Sequence, residues 1–314
     1  MHEHDGRRPG IPPDRVCDPS AAAVERSVFV GRGRVDGTRC PRHDVDRLRS
    51  ACRGCIHRLE YTVFMGITPI DGEARVMLIT GASSGIGEAT ARRAAAAGIR
   101  VVLAARRIDR LESLTAELGG DAVAIAVRCD VSSFPDCETA VSTALDAFGR
   151  LDVMFANAGA GSKGQGWFVE TPEDWREQVN VNVLGTAYAT RAAIPALRET
   201  KGHLVITGSL SGLRALPGSM YSCTKHAVTV MAEALRLELN GTGVHVAIVH
   251  PGIVDTPILW PSGYETPDWA LEPDDIARAV MYVVAQPSDV DVSQVVVRPI
   301  EKSQAVVGQT AKPA

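Results

Sequence analysis

From residue 76 onward, short apolar runs alternate with longer segments whose apolar residues recur every three to four positions. The runs at 76–79, 101–105, 122–127, 151–156, 204–207, 244–249 and 292–297 predict strands. The segments at 85–97, 109–118, 136–148, 173–197, 219–240 and 273–285 predict helices between them. Gly98 and Gly149 stand where two helices should stop, because glycine takes the left-handed conformation without strain. The runs show little in–out alternation, so both faces of each strand should be buried. The expected fold class is α/β: a single doubly wound Rossmann-type domain, with a seven-stranded parallel sheet and helices on both faces.

Before residue 75 the pattern stops. This stretch is rich in Arg, Pro, Gly and Asp, contains no lysine, and has no clear period. We expect an N-terminal extension over 1–74, disordered or ahead of a true start near Met65, a dinucleotide-binding domain over 75–300 and a tail over 301–314. A second reading of the extension is zinc, since Cys40-x-x-His43 and Cys52-x-x-Cys55 have suitable ligand types and short spacings.

Composition narrows the function classes. The chain of 314 residues is 45% hydrophobic, enough for a sizeable core, and its net charge of −4 argues against nucleic acid as partner. No apolar run approaches the ~18 residues that span a bilayer. The start lacks the apolar segment of a secretory signal. Seven cysteines then read as reduced thiols, and the expected location is cytoplasmic, with no metal at the main site.

Between the first strand and its helix lies Thr80-Gly81-Ala82-Ser83-Ser84-Gly85-Ile86-Gly87. Glycines at this junction let the backbone turn tightly and approach a pyrophosphate, which would sit on the helix N-terminus. The second strand ends at Ala105-Arg106-Arg107. A carboxylate there would bind the ribose diol of NAD, whereas two guanidiniums suit the 2′-phosphate of NADP. NADP is therefore expected over NAD, with Ser83 adding a hydroxyl. Asp130 and Val131, after the third strand, should touch the adenine. Asn157, Ala158 and Gly159, after the fourth, should line the cofactor crevice.

Tyr221 and Lys225 share one face of a predicted helix, and Ser209 follows a predicted strand. With the glycine turn, Asn157-Ala158-Gly159, Asn182 and Pro251-Gly252-x-Val254-x-Thr256, they make the chain resemble the short-chain dehydrogenase/reductase family from residue 76 to about 298. Two features differ from many members: Ala156 precedes Asn157, and the gap from Ser209 to Tyr221 is slightly short. The C-terminal end resembles the branch holding NADP-dependent 3-hydroxy acid and serine dehydrogenases. The resemblance implies an NADP-dependent oxidoreductase interconverting an alcohol and its carbonyl. Tyr221 would be general acid and base, its pKa lowered by Lys225 and by the oxidised nicotinamide. Ser209 would hold the substrate oxygen, Lys225 the nicotinamide ribose, Thr256 the carboxamide, and Asn182 a relay water near Lys225. Pro251, Gly252 and Val254 would line the cofactor. The family also implies a homotetramer or homodimer. The alternative is a non-catalytic NADP-binding sensor, which would not need Ser209, Tyr221 and Lys225.

The substrate, a small alcohol or carbonyl, should be framed by 160–171, 210–220 and 253–271. These offer Trp167, Phe168, Leu213, Leu216, Ile258, Leu259 and Trp260. Lys163 and Arg214 are the nearby cations that could receive a substrate carboxylate, and a 3-hydroxy acid is implied by the resemblance alone.

Overall fold

The computed structural model describes residues 74–164, 166–259 and 267–300. The zinc pairs and Met65, Trp260 and the tail over 301–314 lie outside the described residues.

The seven predicted strands all form. They are β1 (Val76–Thr80), β2 (Arg100–Ala105), β3 (Ala124–Arg128), β4 (Val153–Ala156), β5 (His203–Thr207), β6 (His245–Pro251) and β7 (Gln294–Val297). They make one sheet in the order β3-β2-β1-β4-β5-β6-β7, every pair parallel. Chain order reverses between β1 and β4. In a doubly wound sheet the crevice beyond the strand ends opens at this switch point.

The helices are α1 (Gly85–Ala96), α2 (Ile108–Leu118), α3 (Phe134–Phe148), α4 (Pro172–Gln178), α5 (Gly185–Thr200), α6 (Met220–Glu238) and α7 (Pro273–Val284). Successive strand residues point to opposite faces, which gives two cores. Val76 and Leu78 face Ala140 of α3, Ala193 of α5 and Val228 of α6. Met77 and Ile79 face Ala91 of α1, Leu111 of α2 and Val280 of α7. The lack of alternation in the sequence is explained by this burial on both sides. The ends follow local chemistry. Ser133 Oγ accepts from Asp136 N at the start of α3, and Gly149 ends it at φ +76°. Thr171 and Asp174 form a capping box on α4.

One expected element differs. The helix read as continuous over 173–197 is interrupted between α4 and α5 by a π-helical stretch, Val179–Leu184. The wider turn inserts a residue into the helical ladder and turns Asn182 inward, where it is fully buried. Gly185 follows because a Cβ there would lie 2.7 Å from Val131 Cγ2, so only glycine lets α5 start this close to the end of β3.

Candidate active site

A cleft of about 270 Å³ opens at the carboxyl ends of the strands, around the switch point. One wall is the glycine turn. Gly81 and Gly85 take φ of +71° and +57°, conformations that other residues rarely adopt. Gly87 is required for a different reason, since a Cβ there would lie 2.4 Å from the carbonyl oxygen of Gly81. Ser84 caps α1 without a side-chain hydrogen bond, so the first N–H groups of the helix lack a side-chain cap. Free donors, a positive helix end and close backbone approach fit a pyrophosphate.

Arg107 reaches back over this turn. Its Nη2 donates to Ser83 Oγ at 2.8 Å and to Ser84 Oγ at 2.9 Å, and its Nε to Ser83 Oγ at 3.2 Å. Exposed Arg106 lines the cleft beside it. Asp130 and Val131 line the same end. One carboxylate oxygen of Asp130 is engaged by the Ser132 N–H and hydroxyl at 3.0 and 2.7 Å, which fixes the loop after β3.

Asn157 works as a clamp across the switch point. Its backbone N–H donates to Thr80 Oγ1 and its side-chain amide to Thr80 O, both at 3.0 Å. Its Oδ1 accepts from Thr207 Oγ1 at 3.0 Å. Three strand ends, β1, β4 and β5, are thereby tied at the point where the crevice opens. The sequence shows Thr80 only as the start of the glycine turn and does not single out Thr207 at all.

Across the cleft stand Ser209, Tyr221 and Lys225, all lining it. Ser209 is buried at the turn after β5, where its Oγ accepts from Ser211 N at 3.1 Å. Ser219 caps α6 through Ser222 N, which starts the helix so that Tyr221 and Lys225 face inward one turn apart. Lys225 Nζ lies 5.7 Å from the Tyr221 ring centre and donates to Thr207 O at 2.9 Å. Burial pushes the Lys225 ammonium down to about 8. Burial also pushes the Tyr221 phenol up, and a hydrogen bond with Ser209 opposes that shift. In the protein alone burial is thus the largest influence on the phenol, whereas the lowering expected from the sequence rests on the oxidised nicotinamide as well as on Lys225.

Asn182 lies behind this group. Its Nδ2 donates to Ala160 O at 2.9 Å and Thr224 Oγ1 at 3.0 Å, and its Oδ1 accepts from Ala160 N at 2.7 Å. The side chain thus pins the loop after β4 to α6. A Cβ built on Gly159 would lie 3.3 Å from Asn182 Oδ1 and 3.8 Å from Lys225 Nζ, so the glycine leaves a small volume open between them.

The sequence profile described as short chain dehydrogenase matches residues 75–265, more than half of the chain. This chain belongs to the short-chain dehydrogenase family. A relative, an uncharacterized oxidoreductase of Staphylococcus aureus, is 38% identical over 231 residues, covering 72% of this chain and 97% of the relative. Among solved structures, an alcohol dehydrogenase from the archaeon Thermococcus sibiricus, complexed with 5-hydroxy-NADP, is 34% identical with a TM-score of 0.67, covering 73% of this chain and 97% of that one. A 3-ketoacyl-(acyl-carrier-protein) reductase from Brucella melitensis, complexed with NADH, is 32% identical with a TM-score of 0.65, covering 72% and 98%. The chain is accordingly a NAD(P)-dependent dehydrogenase/reductase of a small-molecule substrate, and takes a nicotinamide cofactor.

Most residues predicted for the short-chain dehydrogenase site converge on the one cleft, Pro251, Gly252, Val254 and Thr256 included. Gly87 and Asn182 do not line it; the first supports the turn and the second the wall. Thr256 packs over the turn, with its Cγ2 3.0 Å from where a Gly85 Cβ would stand. Cys129 lines the cleft although the sequence assigned it no role; its place directly before Asp130 was the available signal. Lys163, expected as a receiver for a substrate carboxylate, is instead held by Asp174 at 3.0 Å and Glu177 at 2.6 Å. No helix among the described residues is long and apolar enough to cross a membrane.

Proposed function

We propose that the chain is an NADP-dependent oxidoreductase interconverting an alcohol and its carbonyl, with Ser209, Tyr221, Lys225 and Asn182 as its catalytic group. The observation that carries this reading is the convergence of a hydroxyl, a phenol and an ammonium on a cleft also lined by the glycine turn. When bound, the nicotinamide supplies or accepts the hydride. Ser209 holds the substrate oxygen and Tyr221 gives it a proton in reduction or removes one in oxidation. At neutral pH the phenol holds its proton, the form that donates to a carbonyl oxygen. Lys225 holds the nicotinamide ribose and Thr256 the carboxamide. Asn182 positions the loop at Ala160 and, through Oδ1, one side of the volume beside Lys225.

The glycine turn holds the pyrophosphate, and Asp130 and Val131 border the adenine. The preference for NADP rests on the fork of Arg107 over Ser83 and Ser84, with Arg106 beside it. A planar guanidinium already oriented loses little freedom on meeting a phosphate. The enzyme is expected to consume NADPH with a lower KM than NADH. Arg107→Ala should raise the NADPH KM on the order of 10-fold or more and leave that for NADH nearly unchanged. A lower KM for NADH in the wild type would refute the assignment. We further propose that 75–300 is the working domain, 1–74 an extension and 301–314 a tail, and that the protein acts as a cytoplasmic homotetramer or homodimer.

A further inference from the structure

Resting on the proposed role of Ser209, we infer that His250 is a positioning residue: its imidazole holds the backbone of Ser209 and so sets where the serine hydroxyl meets the substrate oxygen. His250 stands immediately before Pro251-Gly252, is fully buried and does not line the cleft. It therefore acts through the serine and touches no substrate itself.

Alternation along β6 turns His250 to the same face as Val246 and Ile248, which pack in one core with Val228 of α6. Its Nδ1 lies 3.1 Å from Ser209 O. A carbonyl oxygen only accepts, so Nδ1 carries the proton of this hydrogen bond. Burial, the largest influence on the ring, favours the neutral imidazole, which leaves Nε2 a bare acceptor. That nitrogen is buried and finds no hydrogen-bond partner among the described residues. An unpaired buried acceptor costs stability, so the fold alone gains little from a histidine here. What the ring does supply is a donor aimed at the serine.

The backbone around Ser209 is shaped to receive the ring. A Cβ on Gly208 would lie 2.6 Å from His250 Nδ1 and 2.9 Å from Cε1, so glycine at 208 lets the imidazole reach the next carbonyl. Ser209 O also accepts from Gly212 N at 2.9 Å. The carbonyl is thus held both by its own turn and by β6. Ser209 Oγ accepts from Ser211 N at 3.1 Å, and the hydroxyl keeps its own proton to donate within the cleft. A shift of about 1 Å in such a donor can cost on the order of 100-fold in rate.

The test is kcat for reduction, with NADPH, of the member of a panel of aldehydes and ketones that the wild type turns over fastest. His250→Leu keeps a similar volume and removes the donor. It should lower kcat on the order of 10-fold or more, with NADPH Kd unchanged. Its Tm should not fall below that of the wild type, because the unpaired Nε2 is gone and Ser209 O keeps the Gly212 N–H. His250→Asn, whose amide nitrogen takes the place of Nδ1, should recover kcat to within about 3-fold. In a Ser209→Ala background, His250→Leu should change kcat by less than about 2-fold, since the group it positions is absent. Unchanged kcat in His250→Leu, an equal fall in His250→Asn, an equal fall in both backgrounds, or a leucine variant that does not fold would each overturn the inference and leave the proposed function standing. Wild-type kcat in Ser209→Ala would overturn the serine's role and this inference together. If NADPH binds, as read by its fluorescence, yet no member of the panel is reduced, the oxidoreductase reading fails and this inference with it.

Discussion

Lys225 shows how one residue meets opposing demands. Its ammonium is buried against Thr207 O, and burial lowers its pKa from 10.5 to about 8. Below pH 8 the folded state bears the full cost of the buried charge. Between 8 and 10.5 the unfolded chain still holds a proton that the folded chain has released, so stability rises with pH. Lys225→Met removes this titration. Across that window the wild type should therefore gain about 3 kcal/mol relative to the variant, measured by urea unfolding without cofactor. A constant difference would mean that the ammonium is not desolvated. The sequence identified Tyr221 and Lys225 through their spacing on a helix. The burial that pushes the Tyr221 phenol up was not legible, because distant segments contribute it.

At the scale of elements, the strands were legible because burial on both faces leaves continuous apolar runs. Their ends moved by a residue or two, as at β3 and β7, where capping and pairing set the boundary. The π-helical stretch was not legible, since one inserted residue barely disturbs the apolar period over 173–197. Its consequence is local but large: Asn182 joins the loop after β4 to α6 through three hydrogen bonds. Asn182→Ala leaves buried polar partners unsatisfied. It should cost roughly 2–4 kcal/mol in stability, read from the urea midpoint, and lower turnover as well. A variant as stable as the wild type would mean that this linkage contributes little.

At the scale of the whole molecule, the described sheet and helices account for the full set of predicted elements without residues 1–73. The Staphylococcus aureus relative is covered over 97% of its own length by 72% of this chain. A chain starting at Met65 is therefore expected to fold with the Tm of the full chain and to bind NADPH with the same Kd. A clear loss of either would assign the extension a part in the domain. The doubly wound architecture explains why residues from 81 to 256 meet in one place. Parallel strands all deliver their carboxyl ends to one edge, and the reversal between β1 and β4 leaves that edge open.

The central claim is that the Tyr221 hydroxyl passes a proton to the carbonyl oxygen. It is tested most directly by steady-state reduction of a neutral ketone by the wild type and by Tyr221→Phe, with NADPH affinity measured on both. The account predicts unchanged NADPH affinity and a fall in kcat of about 1,000-fold. Turnover near that of the wild type in the phenylalanine variant would contradict it.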